Sequence, residues 1–267
     1  MTDAQIQEVK KIKEDKIKFA LKEIEGWLWE DSAWLTAFLM EIQTKNVDLS
    51  NVSGAVEFGT YKGKYLSVIY TCLQEHSEVA IGYDIFTINT QEQLKENIKK
   101  ANGESDRLFC FKGDTKRLNS DDILKALGKK PRFISVDAEH TFEGVYNDLL
   151  LSLQILGDGG IVAVDDFTNV HCPGVTEGAI AFLSSTHNLK LKPFVSCCNK
   201  LFITTESHYE IYFNEIEEFL CKNPDLNVSK YHTTRSDSQN KQKLCRADIH
   251  VLSHVKGANY HMKKAGS

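Results

Sequence analysis

Through the first 28 residues, Ile6, Val9, Ile12, Ile17, Leu21, Ile24 and Leu28 recur at mostly three- to four-residue steps among lysines and glutamates. That period predicts a long amphipathic helix with one face against the protein. A second helix is expected from Asp31-Ser32, residue types that cap helix N-termini, through Ala33-Trp34-Leu35 to about Ile42. From Gly54 the pattern changes. Short β-rich runs alternate with helical segments in the order GAVEFG, GKYLSVIYTCLQE, EVAIGYDIF, NTQEQLKENIKKA, RLFCFKGD, RFISVDAEH, TFEGVYNDLLLSLQIL, GGIVAVDDF and PGVTEGAIAFL. Such alternation implies right-handed crossovers, and hence an α/β fold with a mostly parallel sheet and helices on both faces. LKPFVSCC and KLFITTES, separated by little more than Asn199, predict a C-terminal antiparallel hairpin that closes one edge of the sheet. HYEIYFNEIEEFLCK reads as one more helix.

The chain therefore divides into a helical extension over 1–50, an α/β domain over 51–224 and a tail over 225–267. The tail carries eight Lys/Arg against three Asp with little periodicity, and is expected to be loosely ordered. Over the whole chain, 32 Lys+Arg against 37 Asp+Glu give a net charge of -5, which argues against a nucleic-acid partner. No stretch reaches the ~18–20 apolar residues of a membrane span, and the N-terminus has no apolar core of a secretory signal. Seven cysteines without a C-x-x-C pair provide neither a disulfide framework nor a thiolate zinc site. A reducing, cytoplasmic setting is expected.

In open α/β sheets ligands sit at the carboxyl ends of the strands, so the strand-end residues carry the chemistry. The first turn, Val56 to Gly63, lacks the spacing of a P-loop. It also places Glu57 where a nicotinamide-type loop requires glycine. An acid there repels a pyrophosphate and suits a cationic cofactor instead. Asp84, 27 residues later at the end of the second strand, is placed to accept hydrogen bonds from a ribose diol. Glu57, Gly59 and Gly63 with Asp84 thus fit an adenosyl cofactor bearing a sulfonium and an amino acid. Thr60, Tyr61 and Lys62 are candidates for its carboxylate, and Asp114 for the adenine amino group.

From Gly54 to Glu206 this pattern resembles the class I S-adenosylmethionine-dependent methyltransferases, which implies a Rossmann-like sheet. The fourth and fifth strands end in Asp137-Ala138-Glu139-His140 and Asp165-Asp166-Phe167. Asp137 facing Asp165 and Asp166 across a cleft makes a carboxylate cluster that selects a hard cation, Mg²⁺ first, with Mn²⁺ or Ca²⁺ behind it. The series Val136 to Glu143, Gly159-Gly160, Asp165-Asp166-Phe167 and Pro173-Gly174-Val175 is similar to the metal-dependent sugar O-methyltransferases related to macrocin O-methyltransferase. Ala138 stands where that family usually has glycine, and Asp158 where proline is common. The resemblance implies metal ligation by Asp137, Asp165 and Asp166, with the proton acceptor at Glu139 or His140. His140 is favoured, because an imidazole pKa of about 6.5 lies near working pH and the turn into the next helix reorients it.

The expected activity is therefore methyl transfer from S-adenosylmethionine to a hydroxyl, on a sugar or glycosylated acceptor implied by the resemblance, with divalent metal. A non-catalytic adenosyl-binding protein and a nicotinamide-dependent oxidoreductase are the alternatives. Homo-oligomerisation is left open. His171 is a candidate lining residue of the acceptor pocket, and Cys197-Cys198 read as packing residues. Trp27, Trp29 and Trp34 are either an aromatic wall over a sugar or helix-packing residues.

Overall fold

The computed structural model describes residues 3–74, 77–186, 188 and 190–253. Two helices, α1 (Asp3–Glu23) and α2 (Glu30–Asn46), come first. The alternation follows as β1 (Ala55–Phe58), α3 (Lys64–Cys72), β2 (Ala80–Asp84), α4 (Gln91–Asn102), β3 (Leu108–Lys112), α5 (Ser120–Leu127), β4 (Phe133–Val136), α6 (Phe142–Ile155), β5 (Ile161–Val164) and α7 (Pro173–Ser184). Beyond it lie β6 (Leu191–Cys197), β7 (Lys200–Thr205), α8 (Tyr209–Lys222), α9 (Asn227–His232), α10 (Asp237–Asn240), β8 (Lys241–Leu244) and β9 (Ala247–Leu252).

Among the described residues nine strands form one sheet in the order β3-β2-β1-β4-β5-β7-β6-β9-β8. Strands β1 to β5 are parallel, and β7 runs antiparallel to both β5 and β6. Strand order reverses between β1 and β4, which opens a crevice at their carboxyl ends. The period of two sorts side chains cleanly. Ala55, Ala80, Leu108, Phe133 and Ile161 pack beneath α1 to α4, α8 and α9, whereas Val56, Ile81, Ile134 and Val162 pack beneath α5 to α7. Both faces are covered, so these strands are largely apolar, with Glu57 and Ser135 buried among them.

The structure departs from the sequence-based expectations in three places. The first helix stops at Glu23 rather than reaching Leu28, because Gly26 adopts φ +146 and redirects the chain into Trp27–Trp29. Asp31 and Ser32 do not cap α2, which begins at Glu30. They are drawn into tertiary bonds instead: Asp31 Oδ1 accepts the Val228 N–H of α9 at 3.1 Å, and Ser32 Oγ donates to the Cys197 carbonyl at 3.0 Å. The β6-β7 hairpin forms but does not close the sheet. β9 pairs in parallel with β6, and β8 adds an outer antiparallel strand. Residues 225–253, expected to be loose, are therefore folded. Val228, Ala247, Ile249 and Leu252 are buried, too sparse for a periodic signal yet sufficient against a partner strand. Residues 254–267 of the expected tail lie outside the described residues.

A buried ion pair fastens the helical extension to the sheet. Arg132 donates from Nε and Nη2 to the two Glu78 carboxylate oxygens, each at 2.7 Å, and from Nη1 to the Met40 carbonyl at 3.0 Å.

Candidate active site

Strand parity builds the site. Pairing sets Ala55 opposite Ala80 and Phe133, and Phe133 opposite Ile161. Continuing those registers to the strand ends aligns Gly59, Asp84, Asp137 and Asp165 on the α3 side, with Glu57 one pleat behind them. The backbone keeps the row together, since Asp137 N–H donates to the Phe58 carbonyl at 2.8 Å and Asp165 N–H to the Val136 carbonyl at 3.0 Å. A cavity of about 1490 Å³ opens over this row. Glu57, Gly59, Thr60, Tyr61, Asp84, Asp114, Asp137, Glu139, His140, Asp165 and Asp166 all line it.

One half of the cavity is built by the turn after β1. Gly59 has φ +80, and a Cβ there would lie 2.0 Å from the Asp137 carbonyl oxygen, so only glycine fits. Asp84 clamps the turn: its Oδ2 accepts the Thr60 and Tyr61 N–H groups at 3.0 and 2.8 Å, and its Oδ1 accepts Phe86 N–H at 2.7 Å. Glu57 is 1% exposed and its Oε2 has no hydrogen-bond partner. Burial, reinforced by the neighbouring Asp137, pushes its carboxyl well above the usual carboxylate range. A buried carboxyl with an orphaned oxygen on a cavity floor is suited to receive a cationic group. Asp114 lines the same half, with Oδ1 accepting Lys116 N–H at 3.0 Å and so capping the short turn 115–117.

Two expected contacts fall elsewhere. Gly63 is off the cavity wall; it starts α3 in the left-handed conformation and packs against Leu94. Lys62 pairs with Glu25, whose carboxylate also accepts the Tyr61 hydroxyl at 2.8 Å, and together these bonds tie the turn to the α1-α2 connection. Trp27 lies over Tyr61 with ring centroids 5.7 Å apart, and both Trp27 and Trp29 line the cavity. Trp34 does not line it and donates to Glu30 at 3.2 Å.

The other half contains the polar cluster. His140 Nε2 is 3.2 Å from Asp137 Oδ1 and 3.5 Å from Asp166 Oδ2. The Asp137 hydrogen bond raises the His140 pKa above its ordinary value. Burial, then the charge of Asp165, raises that of Asp137. Asp166 has φ +54 and is held by Asn169 and Asn199, each donating to Oδ1 at 2.9 Å. Glu139 points the other way and pairs with Lys116 at 2.8 Å. His171 lines the cavity, as does Cys198, while Cys197 is buried in the core.

Sequence reasoning missed Lys200. This residue opens β7, is fully buried, sets Nζ 2.8 Å from Asp165 Oδ2, and lies 4.1 Å from the Tyr65 ring centroid. Its signal was a lone lysine leading the apolar run LFI. Asn199, read only as a turn residue, and Cys172, with Sγ 3.6 Å from His140 Nδ1, were missed as well. The other oxygen of Asp165 accepts Asp166 N–H at 2.9 Å.

Residues 56–167 match the family described as Methyltransferase domain. None of the curated proteins matches the chain in sequence. Among solved structures, similarity extends to CalS11, a TDP-rhamnose 3′-O-methyltransferase of calicheamicin biosynthesis, at 15% identity over 73% of this chain and 93% of that one, with a TM-score of 0.51. The O-methyltransferase NovP aligns at 12% identity over 66% and 79%, TM-score 0.53. An O-methyltransferase from Bacillus cereus in complex with SAH aligns at 14% identity over 76% and 90%, TM-score 0.50. At these identities the likeness establishes a shared fold. No helix of the described residues is long and apolar enough to cross a membrane.

Proposed function

We propose that this chain is a class I methyltransferase that transfers the methyl group of S-adenosylmethionine to a hydroxyl of a sugar or glycosylated compound, a reading its methyltransferase-domain match and fold support. The observation that carries the reading is the acidic row Glu57, Asp84, Asp137 and Asp165 along one face of a single cavity, which joins a cofactor-sized half to a proton-accepting half. The fit to the cofactor rests on the orphaned Glu57 Oε2 and the glycine-only turn at Gly59. Glu57, Gly59, Thr60, Tyr61, Asp84 and Asp114 would hold it. Glu57 gains a cationic partner, and Asp84 keeps the turn shaped for a ribose and amino acid.

On the acceptor side, His140 removes the hydroxyl proton at Nδ1, with Asp137 holding the ring through Nε2 and stabilising the imidazolium that forms. Glu139, tied to Lys116, has the outer role. A divalent cation, Mg²⁺ or Mn²⁺, would be held by Asp137, Asp165 and Asp166 once their carboxylates draw together, and would supply a lowered pKa for the acceptor hydroxyl; the ligating trio within 4.8 Å in this cleft is His140, Asp166 and Cys172. Lys200 fixes Asp165, and Asn169 with Asn199 fix Asp166, so the carboxylates are oriented before any ligand arrives. Trp27 and Trp29 at the cavity wall offer apolar faces for a sugar ring, and the TDP-rhamnose acceptor of CalS11 is consistent with that chemistry.

Binding calorimetry with S-adenosylmethionine, its demethylated product and NAD(P)H tests the cofactor. Methylation of deoxythymidine-diphosphate sugars with Mg²⁺ present tests the acceptor. Tight binding of a nicotinamide nucleotide in place of the adenosyl ligands would overturn the assignment.

A further inference from the structure

Outside the cavity described above, α8, α9 and β9 bring a second set of ligating groups together. Glu217 projects from α8, His232 closes α9 and His250 lies within β9, and one donor atom from each falls within 4.8 Å of the others. His250 is 1% exposed. Its Nδ1 and His232 Nε2 are both buried without a hydrogen-bond partner. Two imidazole nitrogens shielded from water and facing one carboxylate are costly unless something joins them.

The ring of His250 is already oriented. It packs 4.4 Å from the Phe213 ring centroid and hydrogen-bonds the Phe213 backbone, while its Nδ1, which has no hydrogen-bond partner, lies 3.9 Å from Glu217 Oε1. A backbone partner on the far nitrogen is the arrangement that orients a metal-ligating histidine. Lys241 shares Glu217 Oε1 at 3.2 Å, but its side chain is 40% exposed and free to swing into solvent.

We propose that Glu217, His232 and His250 form a zinc site that fastens the C-terminal segment to the body of the protein. Two imidazoles and one carboxylate suit Zn²⁺ and not Mg²⁺, and three protein ligands leave a fourth position to water. Tetrahedral Zn²⁺ with bonds of about 2.0–2.1 Å spaces its donors by about 3.3 Å, so the site closes around the ion by a small contraction. The ligands come from elements that bracket residues 217–250, and the ion therefore locks α9, α10, β8 and β9 onto α8.

The test is a titration of the metal-stripped full chain with Zn²⁺ against a chromophoric chelator, with melting temperature followed in parallel. One equivalent should bind with submicromolar Kd, raise Tm, and resist a thousandfold excess of Mg²⁺. His232→Gln and Glu217→Gln, each checked for native circular dichroism, should weaken Zn²⁺ binding at least tenfold and abolish the rise in Tm. His140→Ala should retain both, which separates this site from the His140, Asp166 and Cys172 group in the cleft. Unchanged affinity in His232→Gln and Glu217→Gln, loss of zinc in His140→Ala, or no binding below about 10 μM in the wild type would each overturn the proposal.

Discussion

Lys200 Nζ lies 2.8 Å from Asp165 Oδ2, with both side chains nearly closed to solvent. β7 thus sets an ammonium group against the acidic row, and its charge opposes the burial that raises Glu57 and Asp137. Removing one partner of such a pair leaves a buried charge uncompensated. Lys200→Met should therefore cost about 3–5 kcal/mol in urea unfolding at pH 7, and Lys200→Met with Asp165→Asn should recover part of that loss.

The same pair bears on the metal. Lys200 already pairs with Asp165, so an added cation meets a carboxylate cluster whose charge is partly offset. Chelation should depress turnover by at least ~10-fold, with recovery on adding Mg²⁺ or Mn²⁺. Full turnover in excess chelator would assign the electrostatic work to Lys200 and His140 alone.

His140 and Glu139 separate by orientation. His140→Ala should lower turnover by about a hundredfold or more while leaving calorimetric affinity for S-adenosylmethionine unchanged, and Glu139→Ala should have a much smaller effect. A base must be neutral to accept a proton, and Asp137 raises the His140 pKa. The rate should accordingly rise with pH through a midpoint above the ~6.5 of free imidazole, and that limb should vanish in His140→Ala. The reverse ranking of the two variants would return the role to Glu139.

Asp84 is a clamp on the turn as well as a candidate ribose ligand. Asp84→Ala frees the Thr60 and Tyr61 N–H groups, and the loss of charge-assisted bonds at roughly 1.5–3 kcal/mol each should weaken cofactor binding at least tenfold. Unaltered affinity by calorimetry would remove Asp84 from the cofactor half.

Asp148 on α6 is 1% exposed, and neither of its carboxylate oxygens has a hydrogen-bond partner. Burial pushes its pKa up to about 7. The folded state binds this proton more tightly than the unfolded chain, so its contribution to stability declines as pH rises from about 4 to about 7. Asp148→Asn should be more stable than wild type by about 1–3 kcal/mol at pH 8, with a smaller difference at pH 5. Urea unfolding at the two pH values checks the sign, and a gap that shrinks toward pH 8 would contradict it.

Apart from α5, the β1 to α8 alternation was legible because each element carries its own period, and strand ends follow from where those periods stop. The acidic row was legible for the same reason: Glu57, Asp84, Asp137 and Asp165 share strand parity, a local property of the chain. What sequence could not yield depends on partners distant along the chain. Lys200 acquires meaning only when β7 runs antiparallel beside β5 and brings it to Asp165. Asp31 looked like a cap because local chemistry favours that role, but it meets Val228, 197 residues away. β9 shows no strong pattern of its own, and the edge of β6 organises it. The α5 helix, with Asn119 accepting Asp121 N–H at its start, carried a capping signal that the sequence reading passed over.

The two added strands also govern what the sheet presents to its surroundings. Without them β6 would stand outermost, exposing a backbone ladder beside Phe194, Val195 and Cys197, all buried in the folded chain. A bare apolar edge is a template for intermolecular strand pairing and aggregation. The outermost strand is β8 instead, where Lys241, Gln242 and Lys243 are exposed, and a second copy docking edge to edge would meet lysines before it met hydrogen-bonding backbone. Residues 241–252 thus act as a solubility guard, and a chain shortened to residue 240 would retain the acidic row yet bare the β6 edge for self-association.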